Sequence, residues 1–150
     1  MTEFIPYSKQ SINKEDIKSV VEVLNSEFIT QGPVVSLFEN EVAKKVGSKY
    51  AVATSSGTTA LHLSLILLNI KPNDLVLVNN VTFIATANSV LYNNHKLDLI
   101  DIDLKNYCLD LNLLEKYLIQ KRNLVKAVIF VDYAGNTLDW DKIFFLKKKY

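Results

Sequence analysis

Cysteine and histidine are scarce in this sequence. Cys108 is the only cysteine, and His62 and His95 are the only histidines. A single cysteine excludes an internal disulfide framework, and the three side chains together are too few for a cysteine-rich or histidine-based metal centre. We therefore predict a protein that works without a metal site of this kind.

An excess of charge and a long apolar run are also missing. The 17 Lys and Arg residues nearly balance the 16 Asp and Glu residues, which leaves a net charge of +1 and no broad basic surface for nucleic acid. No apolar run approaches the ~20 residues that a membrane-spanning helix needs. The first ten residues lack the basic-then-apolar design of a secretory signal. These absences predict a cytoplasmic protein that binds neither nucleic acid nor membrane.

The sequence does contain enough apolar material for a core. Of its 150 residues, 49% are hydrophobic, which is sufficient for one domain with a real interior. Short apolar runs predict strands over 50–53, 75–78, 97–102 and 127–131. Helical spacing of apolar residues predicts helices over 14–25, 33–47, 57–68, 83–91 and 111–119, and another after residue 139.

Several helix ends are marked by capping residues. Asn13, Thr82, Asp110 and Asp139 are the predicted N-caps, Pro33 the first residue of a helix, and Gly47 its end.

The alternation of strands and helices predicts the fold class. It implies right-handed crossovers and an α/β fold with a mostly parallel sheet and helices on both faces. The last predicted helix carries Trp140, Ile143 and Phe144, which need a partner surface, and it reaches Tyr150 without a C-cap. We therefore expect the chain to be the front part of a longer protein.

A cluster of hydroxyl side chains surrounds one glycine where a strand meets a helix, in the segment ATSSGTTALHL over 53–63. The start of a helix presents free N–H groups and the positive end of the helix dipole, and Ser56, Gly57 and Thr58 add hydroxyls and close backbone access. The residues that follow are apolar nearly all round, which predicts an interior helix. The pattern therefore predicts an anion site. The alternative is that Ser55 or Ser56 only caps the helix.

Three motifs in this order carry a resemblance to a known family. TSSGTTALHLSL over 54–65, VNNVTFIATANSVLY over 78–92 and DIDLKNYCLD over 101–110 resemble the N-terminal portion of the DegT/DnrJ/EryC1/StrS sugar aminotransferases. These are pyridoxal 5'-phosphate (PLP) enzymes of fold type I, the aspartate-aminotransferase-like fold. The pattern from IPYSKQSI to FITQGP over 5–33 and the motif VDYAGN over 131–136 further resemble the transaminases of UDP-linked 4-keto-6-deoxy-hexosamines in pseudaminic acid biosynthesis, such as UDP-4-amino-4,6-dideoxy-N-acetyl-altrosamine transaminase.

The resemblance implies roles for individual residues. Ser56, Gly57 and Thr58 match the segment that holds the cofactor phosphate, and Phe83 matches the aromatic residue that stacks on the pyridine ring; without the motif, Phe83 would be interpreted as a core residue. Residues 1–32 are implied to be a helix and substrate-side loop, and 33–150 the front part of the PLP-binding large domain. The implied contacts to the nucleotide sugar are Tyr7, Glu27, Phe28, Ile29, Thr30 and Gln31.

The resemblance also implies what this stretch does not contain. Family enzymes work as homodimers with glutamate as the usual amino donor, and their Schiff-base lysine and pyridine-nitrogen acid follow the VDYAGN strand and the next helix. No lysine of this sequence matches that position. We therefore assign no catalytic residue, and expect the chain alone to be inactive.

Two other function classes stay open at this stage. Asp101 and Asp103 follow an apolar strand, as does the D-x-D of nucleotide-sugar glycosyltransferases, where carboxylates hold a divalent cation against a diphosphate. A non-catalytic α/β binding module is the other. His62 is predicted to be a core histidine, and His95 a surface residue in a turn.

Overall fold

The computed structural model describes residues 4–6 and 8–150. These fall into two compact units, Met1–Ala53 and Thr54–Tyr150, each of which is described by itself. The predicted functional division after residue 32 concerns substrate and cofactor contacts, and it stays a prediction. No helix of the described residues is long and apolar enough to cross a membrane.

The first unit contains two helices, α1 (Lys14–Leu24) and α2 (Pro33–Val46). Asn13 caps α1 in a capping box with Asp16, and Pro33 opens α2, as predicted. Gly47 ends α2 in the left-handed conformation with φ 68°, which glycine adopts without steric cost. The apolar stripe of α1 stays exposed within this unit.

The strand predicted over 50–53 is not formed. A strand needs a neighbour for its N–H and C=O groups, and no strand of the described residues pairs with this segment. Its backbone bonds to side chains instead. The Ala53 N–H donates to Glu39 Oε1 at 2.8 Å, and Ser48 Oγ donates to the Tyr50 carbonyl at 2.8 Å.

The second unit is an α/β layer structure, as predicted. Its strands β1 (Leu75–Asn79), β2 (Lys96–Ile100) and β3 (Val125–Ile129) form a parallel sheet in the order β2-β1-β3. Its helices are α3 (Gly57–Leu67), α4 (Ile84–Tyr92), α5 (Leu111–Lys121) and α6 (Trp140–Lys149), with a 3-10 turn over Tyr133–Gly135. Asp110 and Asp139 cap α5 and α6 as predicted.

The central strand β1 divides the core into two faces. Val76 and Val78 pack with Leu65 of α3 and Val90 of α4. Leu77 points the other way and packs with residues of α5 and α6. All three β1 side chains are fully buried, which stabilises the fold by roughly 1.5–3 kcal/mol for each residue.

The prediction that α3 lies in the interior is wrong. Leu65 is its only buried residue, and Leu67 is 83% exposed. One side of α3 packs on the sheet and α4, and within this unit no described element covers the rest. Because α3 is apolar nearly all round, its sequence does not indicate which side packs on the sheet.

The surface position predicted for His95 is also wrong. His95 is 7% exposed, and its Nδ1 lies 3.0 Å from the Lys71 carbonyl oxygen. Asn94, with φ 56°, turns the chain inward directly before β2, so the ring faces the protein. His62 is half-buried rather than fully in the core, and its ring meets the edge of Tyr92 at 5.8 Å between centroids.

A tyrosine–carboxylate bond ties α5 to β2. Tyr117 Oη donates to Asp98 Oδ2 at 2.5 Å. This bond lowers the pKa of Asp98, while burial and the same carboxylate raise the pKa of Tyr117 to about 12. The hydrogen bond is therefore intact at neutral pH. It weakens in the acid range, where Asp98 becomes protonated, and in the strongly alkaline range, where Tyr117 ionises.

We expect Tyr117→Phe to lower the free energy of unfolding by about 1 kcal/mol at neutral pH. Because the Asp98 pKa is lowered by folding, this difference from the parent protein should shrink as pH falls below about 4. It should also shrink as pH rises from about 10 towards 12, where the parent loses its own bond. Urea denaturation at a series of pH values measures this. Tyr92→Phe is the control, because the Tyr92 hydroxyl makes no hydrogen bond within the described residues, and a pH-independent difference for Tyr117→Phe would contradict the assignment.

Candidate cofactor-phosphate site

The hydroxyl cluster forms the start of α3. Ser56 is the N-cap, with extended backbone at φ −164° and ψ 162°, and its Oγ accepts a hydrogen bond from the Thr59 N–H at 3.2 Å. The Thr59 hydroxyl lies 3.1 Å from Ser55 Oγ and 3.0 Å from Ser56 Oγ. The capping alternative therefore holds for Ser56, and it accounts for one amide of the first turn.

Two other amides of this turn remain available. The N–H groups of Gly57 and Thr58, and the Thr58 hydroxyl, have no hydrogen-bond partner among residues 4–6 and 8–150. Helix-start amides point along the axis out of the helix, with the positive end of the dipole. Two parallel N–H donors beside a hydroxyl donor form a suitable site for a phosphate dianion.

The Cβ position of Gly57 faces open space. A Cβ atom placed on Gly57 would meet no described atom within 4 Å, and its φ is not positive. The fold therefore does not require glycine here, either for conformation or for packing. A glycine that neither packing nor conformation requires is suited to a position where a bound group comes close to the backbone.

Phe83 lies at the start of α4, directly after the carboxyl end of β1. It is the N-cap, in place of the predicted Thr82, because the Thr82 hydroxyl donates to Thr86 Oγ1 at 2.8 Å and caps no amide. Phe83 is 74% exposed. The ring is therefore not packed in the core of the second unit, and within this unit it is accessible to a ligand.

The structure brings Ser56, Gly57 and Thr58 together and places Phe83 on the neighbouring helix. Helices α3 and α4 pack side by side on the same sheet face, and Asn93 Nδ2 donates to the His62 carbonyl at 3.3 Å. Within the described ranges, no hydrogen bond or ring contact joins Phe83 to the start of α3. The stacking role of Phe83 therefore stays a prediction.

The predicted substrate residues belong to the first unit. Tyr7 lies outside the described residues. Glu27, Phe28, Ile29, Thr30 and Gln31 form an exposed connection between α1 and α2, in which Gln31 has φ 53°. A Cβ on Gly32 would lie 2.8 Å from Phe28 Cβ and 3.0 Å from the Phe28 carbonyl oxygen, so Gly32 is what lets this connection close tightly.

The carboxylates of Asp101 and Asp103 accept hydrogen bonds from neighbouring groups of the protein. Asp101 Oδ1 accepts from Asn80 Nδ2 at 2.7 Å and from the Ile102 N–H at 2.8 Å, and Asp103 Oδ1 accepts from the Lys105 N–H at 2.9 Å. The part of the chain that is described holds no cluster of three or more potential metal ligands. These carboxylates end a strand and shape the turn that follows it.

Asn79 is a polar residue that the sequence patterns did not single out. It is fully buried at the carboxyl end of β1, where its Nδ2 donates to the Val81 carbonyl. Its Oδ1 has no partner among the described residues, which is uncommon for a buried acceptor. The sequence feature that could have indicated this residue is the asparagine at the end of the otherwise apolar run LVLVN.

Comparison with solved structures defines the class. The fold matches E. coli GDP-4-keto-6-deoxy-D-mannose-3-dehydratase, solved with bound hydrated PLP, with a TM-score of 0.89 and 28% identity over 95% of this chain and 38% of that chain. The architecture is thus that of the PLP-dependent transferases of fold type I, as the resemblance implied.

The family is equally clear. The DegT/DnrJ/EryC1/StrS aminotransferase family matches residues 10–150, and the chain belongs to this family. UDP-4-amino-4,6-dideoxy-N-acetyl-beta-L-altrosamine transaminase of Campylobacter jejuni is 37% identical over 97% of this chain and 38% of its own length. UDP-4-amino-4-deoxy-L-arabinose–oxoglutarate aminotransferase of Shewanella sediminis is 34% identical over 99% and 37%. The chain thus spans less than two fifths of the length of these relatives.

The free space at Gly57 leads to a stability prediction. We expect Gly57→Ala to leave the free energy of unfolding unchanged or to raise it by up to about 1 kcal/mol, because alanine favours the helix and meets no atom. Ser56→Ala should instead lower it by about 1 kcal/mol through loss of the cap. Urea denaturation of both variants measures this, and a destabilised Gly57→Ala would show that the glycine serves the fold.

Gly32 should behave in the opposite way. We expect Gly32→Ala to destabilise the protein by about 1–3 kcal/mol, because its Cβ would overlap Phe28. Amide NMR shifts of 27–32 should change with it. Gly57→Ala is the matched control, and equal tolerance of both substitutions would contradict the tight closure.

Proposed function

We propose that the start of α3 binds the phosphate group of PLP. The observation that carries this proposal is the pair of unpartnered amides at Gly57 and Thr58, at a glycine whose Cβ position faces open space. The dipole of α3 and the absence of acidic residues from its first turn favour a dianion there. Charge-assisted bonds from amides to phosphate are stronger than those to neutral acceptors.

The other residues have supporting roles in this proposal. The Thr58 hydroxyl would supply a further donor to the phosphate, and the hydrogen bonds between Ser56 and Thr59 hold the turn in position. The exposed ring of Phe83 would stack on the pyridine ring and exclude water from that side. PLP, when bound, supplies an electron sink for amino-group chemistry.

For the substrate, we propose a UDP-linked 4-keto-6-deoxy hexosamine, aminated with glutamate as donor, as in pseudaminic acid biosynthesis. The named relatives from Campylobacter and Shewanella support a UDP-sugar. Tyr7 and the exposed connection Glu27–Gln31 would contact it. An exposed loop anchored by a tight glycine is suited to ligand contacts.

We further propose that catalysis needs groups other than those of this chain. No described lysine lies in the first turns of α3 or α4, and we assign none the role of the Schiff-base lysine. The working form would be a cytoplasmic homodimer, and the exposed apolar stripe of α1 supports such an assembly. The chain alone would bind cofactor weakly and would not transaminate.

An NMR titration with pyridoxamine 5'-phosphate tests the phosphate site. This amine form is chosen because it cannot form imines with surface lysines. We expect the amide signals of Gly57 and Thr58 to shift most, and pyridoxamine without phosphate to bind at least about tenfold more weakly, because the amides act on the phosphate alone.

Two variants separate the parts of the site. Gly57→Ala should weaken the preference for the phosphorylated compound, because the proposed site needs close access to the backbone amides of Gly57 and Thr58. Phe83→Ala should weaken both compounds by a similar factor, because it removes only ring stacking. Equal affinity of the parent for both compounds, or shifts confined to other regions, would contradict the proposal.

A further inference from the structure

The connection from β1 to α4 consists of three residues, and Phe83 follows it directly. Side chains bond this connection to its surroundings at both ends. Asn80 Nδ2 donates to Asp101 Oδ1 at 2.7 Å, and the Thr82 hydroxyl donates to Thr86 Oγ1 at 2.8 Å. The course of the backbone that leads to Phe83 therefore depends on side-chain contacts as well as on the ends of the two elements.

Asn79 supplies the bond in the middle of the connection. Its Nδ2 donates to the Val81 carbonyl, and no other hydrogen bond to that carbonyl is found among the described residues. Asn79 has no accessible surface, and Val81 is half-buried. The bond is thus made from inside the protein, where a main-chain carbonyl needs a donor.

The same carboxamide also carries a cost. Asn79 Oδ1 has no hydrogen-bond partner in the part of the chain that the structure describes, and burying an acceptor without a donor is unfavourable because its hydration is lost. Since no part of Asn79 is accessible, a group beyond these residues could not reach Oδ1 without opening the packing around it. The cost is therefore internal to this unit.

A valine would suit the strand better than an asparagine at position 79. The three residues before it in β1 are apolar and equally buried, and β1 still pairs with β2 at this position. β-branched apolar residues are favoured in such a strand. What asparagine supplies, and valine cannot, is the donor to the Val81 carbonyl. A local rule that is broken at a cost indicates a functional reason.

We propose that Asn79 is a positioning residue, whose carboxamide fixes the connection after β1 so that the Phe83 ring meets the pyridine ring of a bound cofactor. This inference rests on the proposed function, because it concerns the stacking role of Phe83. Phe83 is the N-cap of α4 and has extended backbone with φ −67° and ψ 140°, so the connection before it, and not the helix alone, sets where the ring leaves the main chain. A contact that is held ready in this way avoids part of the ordering cost of binding.

Backbone order measures the positioning without any ligand. We expect nitrogen-15 relaxation of the parent chain to give order parameters of about 0.85 for the amides of 80–83, as in rigid backbone. Asn79→Val should lower them towards about 0.6, because the Val81 carbonyl loses its donor. Asn93→Val is the matched control, since Asn93 Nδ2 donates to the Ser89 carbonyl at 2.8 Å at the other end of α4 and its loss should leave 80–83 unchanged. Order parameters near 0.6 in the parent would by themselves overturn the proposal, even if no variant of Asn79 folds.

A double-mutant cycle with Phe83→Ala connects this order to binding. We expect Asn79→Val to weaken the binding of pyridoxamine 5'-phosphate and of pyridoxamine by the same factor, about threefold or more, and Asn93→Val by less than about twofold. In the Phe83→Ala background, Asn79→Val should change neither affinity by more than about 1.5-fold, because a positioning residue acts only through the ring.

The outcomes of this cycle separate the two proposals. An effect of Asn79→Val that persists in the Phe83→Ala background belongs to the fold in general and would overturn the positioning role. So would the absence of any effect of Asn79→Val where Phe83→Ala has one. If Phe83→Ala itself changes neither affinity, the stacking role in the proposed function fails, and this inference fails with it.

Discussion

The parallel hydrogen-bonded ladder of β1 between β2 and β3 is the constraint on which the second unit depends. β1 is paired on both edges and buried on both faces, with Val76, Leu77 and Val78 fully inaccessible. Such a strand requires helices above and below it. The packing of α3 and α4 on one face and of α5 and α6 on the other follows from this requirement.

The candidate site is a consequence of that arrangement. In parallel α/β sheets, helices run back against the strands, so their amino ends gather at the carboxyl edge where ligands bind. Phe83 reaches this edge because α4 starts there, and Ser56 caps the start of a helix on the same face. The amides of Gly57 and Thr58 have no partner among the described residues, which is the feature that a structural cap alone does not explain.

Most of the architecture could be predicted from the sequence, since local rules and burial agreed. Asn13, Pro33 and Asp110 each start a helix where capping chemistry says they should. Three of the failures share one cause. Tyr50–Ala53 has strand composition but no partner strand, α3 has interior composition but only one covered side, and His95 is buried by the turn at Asn94. Each depends on which surfaces meet, which periodicity does not encode. For the site, the motif indicated Ser56, Gly57 and Thr58, but which amides stay unpartnered depends on the folded turn and is not encoded in the motif.

The protonation state of a bound phosphate tests the central claim most directly. Free phosphate monoesters lose their second proton near a pKa of about 6. If two amides and the dipole of α3 hold the dianion, the phosphorus-31 signal of bound pyridoxamine 5'-phosphate should stay in its dianionic position well below that pH. A bound signal that titrates together with the free compound would contradict the account.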